Sequence, residues 1–147
     1  MARTIQQLSD TAEIIDVAVA YATAVDTRDW DLLGSLFAAD AVWEYVAGGE
    51  TQSGRDGIVA RIRPSIERLD GTQHINTNHV VTLDGDVATH RCYYLAQHLR
   101  RDTTGGDTFL AAGTYADQLR RTSAGWQLTR RTLHSTWTDG NPAVVLG

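Results

Sequence analysis

Three polar residues in separate parts of the chain carry the side chains of a proton-transfer site. Asp26 ends an apolar run, Tyr45 follows a tryptophan and a glutamate, and His74 closes a Thr-Gln-His tripeptide. A histidine near its reference pKa of ~6.5 can act as a base at neutral pH, and a carboxylate on its other ring nitrogen can orient it. We predict that these segments converge in a site that needs neither a metal nor a cofactor.

Each of these residues also has an ordinary structural explanation. An aspartate at a helix end is commonly solvated, and Tyr45 alternates with Trp43 and can simply pack. His74 precedes a polar stretch that is also consistent with an irregular strand. Tyr21 lies on an apolar stripe, where a tyrosine is more often part of the core than a catalytic group. Residue by residue, these alternatives stay open.

The composition is that of one globular domain. The chain has 147 residues, of which 42% are hydrophobic and 21% are charged, which suffices for one core but not comfortably for two. The net charge of −5 argues against nucleic acid or an anionic membrane as the main partner. We see no signal peptide and no run near the ~20 apolar residues of a membrane span, so a cytoplasmic protein is expected.

The cysteine and histidine content argues against a metal centre. The single cysteine, Cys92, excludes an internal disulfide and a thiolate cluster, and its strand-like surroundings favour a buried, inert thiol. His74 with His79, or His90 with His98, are candidate ligand pairs, but no carboxylate or cysteine completes a tight set. We therefore predict no metal site.

The N-terminal third is predicted to be helical. Apolar residues spaced four, three and four apart predict a long first helix, with members Ile14, Ala18, Tyr21 and Val25. Residues 1–8 are expected to form a flexible arm, with Ser9 or Asp10 capping the helix. Asp29 is expected to cap a short second helix that runs to Phe37.

The rest of the chain has one further helix and then β-structure. Residues 54–69 predict a third helix, kinked or broken at Pro64, and residues 38–40 a turn. The predicted strands cover residues 41–47, 51–53, 73–83, 87–100, 108–121 and 126–137. An irregularity is expected at residues 76–78. Residues 139–147 form an apolar tail that packs on a neighbouring subunit or covers a pocket.

This order of elements indicates an α+β domain over residues 1–147. Long strands must curve, usually through bulges, and a curved sheet wrapped around helices forms a cone whose open end is a pocket. We expect the substrate-binding wall of this pocket to include Ile62, Phe109, Tyr115 and Trp137. His134 can line it as well, whereas the arginine pairs 120–121 and 130–131 are most simply solvated, with one arginine able to point inward.

With these elements in place, the chain resembles the nuclear transport factor 2-like superfamily, and within it the SnoaL-like, scytalone dehydratase-like branch, from about residue 10 to residue 137. The helical part of the resemblance is the pattern Asp26-x-x-Asp29-Trp30-Asp31-x-Leu33 followed by Phe37-Ala-Ala-Asp40-Ala41. The part that indicates chemistry is the Thr-Gln-His that ends 48 positions beyond Asp26. The resemblance implies about three N-terminal helices on a strongly curved, mixed, mainly antiparallel sheet, and no cofactor.

The resemblance also implies roles for individual residues. Fungal scytalone dehydratase has an Asp-His pair matching Asp26 and His74, a tyrosine matching Tyr45 and a histidine matching His98. Bacterial bile-acid dehydratases are similar at Tyr21, Asp26, Tyr45 and His74. Hexachlorocyclohexane dehydrochlorinase is similar at Asp26 and His74 alone. By this likeness, His74 is the base and Asp26 orients it. Tyr21 and Tyr45 donate to the carbonyl oxygen. The leaving hydroxide takes a proton from His98 or, in a syn elimination, from His74.

Two departures limit the likeness. Gly113 and Tyr115 stand where scytalone dehydratase has a serine and an asparagine that hold its substrate, which implies a different substrate. Ketosteroid isomerase shares the tyrosine at Tyr21, but its base is an aspartate where this chain has Tyr45, which argues against that mechanism.

The resemblance therefore implies a cofactor-independent dehydratase, a carbon-oxygen lyase acting on a small cyclic or polycyclic hydroxy-carbonyl compound. A polyketide-type cyclase, an isomerase or a dehydrohalogenase with the same dyad is one alternative. A non-catalytic small-molecule-binding or scaffold protein is another. Relatives in this branch are commonly trimers and others are dimers, so a homo-oligomer is expected.

Overall fold

The computed structural model describes residues 1–146, which form three α-helices packed on one six-stranded sheet. The helices are α1 (Ile5–Thr27), α2 (Trp30–Ser35) and α3 (Arg55–Glu67). The strands are β1 (Phe37–Tyr45), β2 (Glu50–Ser53), β3 (Gly71–Asp84), β4 (Val87–Leu99), β5 (Thr108–Thr122) and β6 (Gly125–Gly140). A single 3-10 turn, Pro142–Val144, follows the last strand.

The sheet is mixed, mainly antiparallel, and open at both edges. Its strand order is β2-β1-β6-β5-β4-β3, so β2 and β3 are the edge strands. Only the pairing of β1 with β6 is parallel. The sheet curves around the helices without closing into a barrel, which confirms the predicted α+β cone.

The first helix begins earlier than predicted. Thr4 accepts a hydrogen bond from the backbone N–H of Gln7 at 3.1 Å, and the Gln7 side chain accepts one from the Thr4 backbone at 2.9 Å, which together form a capping box. Residues 5–8 are therefore helical, and neither Ser9 nor Asp10 is the cap. Asp10 is buried instead, and accepts two 2.8 Å hydrogen bonds from Arg121 on β5.

The second helix is shorter than predicted. Asp29 caps it as expected, accepting a hydrogen bond from the Leu32 backbone at 3.0 Å. Phe37 does not belong to this helix, and residues 38–40 are strand rather than turn. The reason is tertiary: Phe37 pairs with Leu128 on β6, where the parallel alignment of β1 begins.

The third helix runs through Pro64 without a break. The proline ring removes one backbone donor, the one that would reach the carbonyl of Ala60. Ile58, Ile62 and Ile66 lie on both sides of it and are all buried in the core. Burial of this apolar face outweighs the one missing hydrogen bond, so of the predicted kink or break, the break does not occur.

Two of the register shifts in the long strands change the direction in which side chains point. Between Thr77 and Val80 the β3–β4 register shifts, and Asn78 has a left-handed φ of 56°, as expected from the polar stretch at residues 76–78. The β5–β6 register shifts between Ala112 and Gly113. A Cβ at Gly113 would lie 2.1 Å from the carbonyl oxygen of His134, so only glycine fits at this bulge.

The C-terminal tail folds back over the open end of the cone. Asn141 donates two side-chain hydrogen bonds to the β4–β5 loop, at 3.0 Å to Thr104 and 2.8 Å to Gly106. Val144 is fully buried, so the tail is part of the fold and covers the pocket. None of the helices in residues 1–146 combines the length and apolar character that crossing a bilayer requires.

Candidate active site

A cavity of about 550 Å³ occupies the inside of the cone. Its walls come from α1, α3, all six strands and the C-terminal tail. Residues that the sequence analysis singled out and that line it are Tyr21, Tyr45, Ile62, His74, His98, Phe109 and Tyr115. The cavity is large enough for a small cyclic molecule, which fits the ordinary size range of ligand pockets.

His74 lines this cavity and forms a close pair with Asp26. The Asp26 Oδ1 atom lies 2.7 Å from His74 Nδ1. The same carboxylate accepts hydrogen bonds from the His74 backbone N–H and from the Thr72 hydroxyl, both at 2.8 Å. Three hydrogen bonds from one strand therefore hold a carboxylate that comes from the end of α1. The segments that carry Asp26 and His74 therefore lie together, as predicted.

The charge state of Asp26 follows from these contacts. Burial by itself would raise the pKa of this carboxyl, but the hydrogen bonds from His74 and Thr72 outweigh burial and lower it. An ionised carboxylate only accepts, so His74 Nδ1 must carry the proton. The other ring nitrogen of His74, Nε2, is then a lone-pair acceptor left for a ligand in the cavity.

His98 adds a second imidazole, 6.3 Å from His74 between ring centroids. Its Nδ1 donates to the carbonyl oxygen of Phe109 at 3.1 Å, which leaves Nε2 without a proton in the neutral ring. Burial lowers the pKa of His98, and the Phe109 carbonyl only partly offsets this. At neutral pH the Nε2 atom of His98 is therefore a hydrogen-bond acceptor for a ligand and not a ready proton donor.

Several hydrogen-bond donors border the same cavity. The Tyr45 ring packs closely over Gly48 in the β1–β2 turn, where a Cβ would lie only 2.6 Å from the ring. Trp43 also lines the cavity; its buried indole N–H lies beside the Tyr21 hydroxyl but has no well-formed hydrogen bond among residues 1–146. Tyr94, which the sequence analysis missed, stacks on Tyr115 at 4.6 Å.

Tyr94 could have been found from its spacing. On β4, Cys92, Tyr94, Ala96 and His98 alternate onto one face, so the inward assignment of His98 implies the same direction for Tyr94. Burial raises the pKa of Tyr94 to about 12, and the neighbouring Tyr45 adds to this. Its hydroxyl therefore stays protonated and can donate.

The cavity floor rests on a buried ion pair. Arg131 is fully buried, makes two 2.8 Å hydrogen bonds to Asp117, and lies 4.3 Å from the ring centroid of Tyr21 and 4.0 Å from that of Tyr115. His90 completes the network, with Nδ1 2.8 Å from Asp117. The expected solvated face for residues 130–131 is wrong at Arg131, because β5 supplies a counter-charge inside the cone.

Burial raises the pKa values of the two tyrosines above this ion pair. Tyr115 is raised well above its ordinary value and Tyr21 is raised as well, with Arg131 opposing the shift in both. Both hydroxyls are neutral donors at physiological pH.

Trp137 does not belong to the cavity. It is 53% exposed and lies on the outer face of the sheet beside Thr136. Leu133 and Ser135 point inward, so plain alternation would turn Trp137 inward too, but the bulge opposite Gly113 inserts one residue and reverses the faces. Thr138 lines the cavity in its place, and His134 is exposed.

The open end of the cavity is edged by α3, β2 and the tail. Arg61 pairs with Glu50 at 2.6 Å and donates to the Ser65 hydroxyl at 2.6 Å. Arg68 donates to the carbonyl oxygen of Val145, which ties the tail to α3. A ligand entering the cone therefore passes a polar rim into an interior of aromatic and aliphatic side chains.

Three helices on an open, curved, six-stranded mixed sheet around a conical pocket define the nuclear transport factor 2-like fold. The family described as the SnoaL-like domain matches residues 6–132, and the chain belongs to this family. It is 34% identical over 143 residues to terrestric acid biosynthesis cluster protein E of Penicillium crustosum, covering 93% of this chain and 90% of that protein.

Two solved structures from Novosphingobium aromaticivorans are also similar. A proposed aromatic ring hydroxylase is 31% identical with a TM-score of 0.83, covering 94% of this chain and 97% of that one. A proposed scytalone dehydratase is 24% identical with a TM-score of 0.82, covering 91% and 89%. The second likeness supports the fold alone.

Proposed function

We propose that this protein is a cofactor-independent lyase that removes water from a small cyclic or polycyclic hydroxy-carbonyl compound, with Asp26 and His74 as its proton-transfer dyad. The observation that carries the proposal is the 2.7 Å contact between Asp26 and His74 Nδ1. It leaves His74 Nε2 for a ligand in a cavity of about 550 Å³.

The first step is removal of the proton next to the carbonyl. His74 Nε2 takes this proton, and Asp26 stabilises the imidazolium that forms. Negative charge then builds on the carbonyl oxygen, where neutral donors are needed. Tyr45 is available for this, with Tyr94 and Tyr21 deeper in the cavity.

The second step is loss of hydroxide as the carbon-carbon double bond forms. Its proton comes from the His74 imidazolium, so the same nitrogen that removes a proton returns it and water leaves from the same face. The state of His98 favours this syn course, because its Nε2 is unprotonated and suited to accept a hydrogen bond from the substrate hydroxyl.

The same dyad can serve other reactions, and product analysis separates them. A dehydrohalogenase would release halide, a cyclase or isomerase would give a product of unchanged mass, and a binding protein would return its ligand unaltered. The relative from a terrestric acid cluster belongs to a biosynthetic setting, which supports a small-molecule substrate for this chain as well.

The test is a panel of cyclic hydroxy-ketones incubated with the wild-type chain and with the variant His74→Ala. We expect loss of one water from at least one compound, and a fall in rate of about 10²–10⁴-fold in the variant, the usual value of a general base. His134→Ala, a matched change at an exposed histidine, should leave the rate unaltered. Equal rates in all three proteins would refute the dyad.

A further inference from the structure

A second cluster of histidine and cysteine side chains lies apart from the cavity, and no step of the proposed reaction uses it. His79 on β3 with His90 and Cys92 on β4 offer donor atoms that all lie within 4.8 Å of one another. None of the three lines the cavity. The candidate ligand pairs predicted from the sequence were His74 with His79 and His90 with His98. In the structure His79 lies beside His90 instead, and Cys92 is close to both.

We propose that His79, His90 and Cys92 bind a divalent ion of borderline softness, of the Zn²⁺ type, at the edge of the sheet. Two imidazoles and one thiolate are a ligand set that suits this ion, with a fourth position for water. The proposal does not depend on the function assigned to the cavity.

The backbone irregularity in β3 builds this cluster. Thr77 pairs with Tyr93 and Val80 pairs with Arg91, so Asn78 and His79 together stand opposite Cys92. Without the extra residue, the side chain at position 79 would alternate to the outer face, away from His90. The left-handed φ of 56° at Asn78 accompanies this turn of the strand. Bulges of this kind commonly re-aim a side chain at a site.

The surroundings of His90 are those of a metal ligand. Its Nδ1 lies 2.8 Å from Asp117, and its Nε2 faces His79 Nδ1 at 3.0 Å. A carboxylate behind a ligating histidine fixes the ring and its tautomer and keeps the outer nitrogen as a lone pair. Arg131 is close by, but its charge is already matched by the two 2.8 Å hydrogen bonds to Asp117.

The distances between the donor atoms and the exposure of the three side chains are also compatible with a bound ion. Tetrahedral arms of ~2.0–2.3 Å set the donors about 3.3–3.6 Å apart. The two imidazole nitrogens, now 3.0 Å apart, would therefore separate by a few tenths of an ångström, and a separation near the 4.8 Å limit of the cluster would shorten by roughly 1 Å. His90 and Cys92 are each 1% exposed, whereas His79 is half-buried on an edge strand. An ion can therefore enter past His79. On binding, the Cys92 thiol loses its proton to solvent, and the ring proton of His79 moves from Nδ1 to Nε2.

The alternative is a hydrogen-bonded histidine pair with no ion, in which His79 donates to His90 and His90 donates to Asp117. Both arrangements satisfy the same nitrogen atoms. They differ in Cys92, which has no function in the hydrogen-bonded pair and supplies a thiolate in the metal site. Since Cys92 is the single cysteine of the chain, any thiolate-to-metal signal reports on it alone.

The experiment is a titration of the full chain with Co²⁺, followed by its visible absorption and by the near-ultraviolet band of thiolate-to-cobalt charge transfer. We expect one equivalent to bind with that band present, and Zn²⁺ to displace it. His79→Gln should weaken binding by about 100-fold or more, judged from the 10–100-fold effect of merely losing a supporting partner. Cys92→Ser should abolish the band, and His134→Gln, at an exposed histidine, should change neither.

Three results would overturn the proposal: no binding by the wild-type chain, binding without the charge-transfer band, or a band that survives His79→Gln. The first two results are measured on the wild-type chain, so they would refute the proposal even if a variant failed to fold. His79 is the most exposed of the three residues, which makes His79→Gln the variant least disturbing to the core.

Discussion

Replacing Asp26 with asparagine should reverse the tautomer of His74. The backbone N–H of His74 donates to one side-chain oxygen of residue 26 at 2.8 Å, and in Asp26→Asn only the amide oxygen can accept it. The amide NH₂ group must then face His74 Nδ1. Because both would otherwise be donors, Nδ1 becomes the acceptor and the ring proton moves to Nε2. The nitrogen that faces the cavity loses its lone pair, and with it the base.

The size of the effect has an electrostatic upper limit. Unit charges at the 2.7 Å separation of Asp26 and His74 interact by about 6 kcal/mol at an effective dielectric constant of ~20. The Asp26 side chain is 21% exposed, so water reduces this value. A loss of about 10²–10⁴-fold in kcat, or about 3–5 kcal/mol, is therefore expected.

Two assays test this prediction, and the first needs no substrate. Nitrogen-15 chemical shifts of the His74 ring should place the proton on Nδ1 in the wild-type chain and on Nε2 in Asp26→Asn. The second assay is kcat on whichever hydroxy-ketone the panel identifies. Asp31→Asn, a change at a carboxylate in the first turn of α2, is the matched control and should alter neither the tautomer nor the rate.

Two results would contradict this prediction: Asp26→Asn keeps the Nδ1 proton on His74, or the tautomer reverses while kcat stays within about threefold of the wild-type value. The first result would mean that the backbone amide does not fix the orientation of residue 26. The second would mean that His74 Nε2 is not the base.

Two further predictions concern stability and assembly. Asp117→Asn leaves Arg131 buried without its counter-charge and should lower the free energy of unfolding by about 3–5 kcal/mol in urea titrations, whereas Glu44→Gln, at a surface ion pair, should cost less than about 1 kcal/mol. The folded state lowers the pKa of Asp117 through Arg131 and His90 against the opposing effect of burial. Its contribution is thus present above its ordinary pKa and lost as the pH falls through the folded value, so the gap between wild type and variant should narrow in acid; a gap independent of pH would contradict this. The predicted homo-oligomer should use the outer sheet face, where Trp137 is 53% exposed, and sedimentation should find Trp137→Glu dissociated; an unchanged mass would exclude that face.

The pattern of turns and alternating strands could be predicted from the sequence, because it depends on interactions between neighbouring residues. The turn at Gly85, with a φ of 61°, and the cap at Asp29 each depend on a few neighbouring residues. The start of α1 was predicted wrongly although it is equally local, because Thr4 and Gln7 form the capping box, whereas Ser9 or Asp10 was the expected cap. Residue types and the resemblance to a known family, rather than periodicity, indicated that Asp26 and His74 belong together.

Long-range packing determined the remaining side-chain directions. It did so mostly through single bulge residues, which reverse the face of the sheet that the following side chains point to. Bulges moved Trp137 out of the cavity and placed His79 opposite Cys92, and a bulge depends on the partner strand as much as on its own residues. Arg131 gives no local sign of burial, because the counter-charge that permits it lies on another strand at Asp117. The amino-acid sequence thus specifies the elements and the dyad, whereas the inward or outward direction of side chains on long strands is specified only when the strands meet.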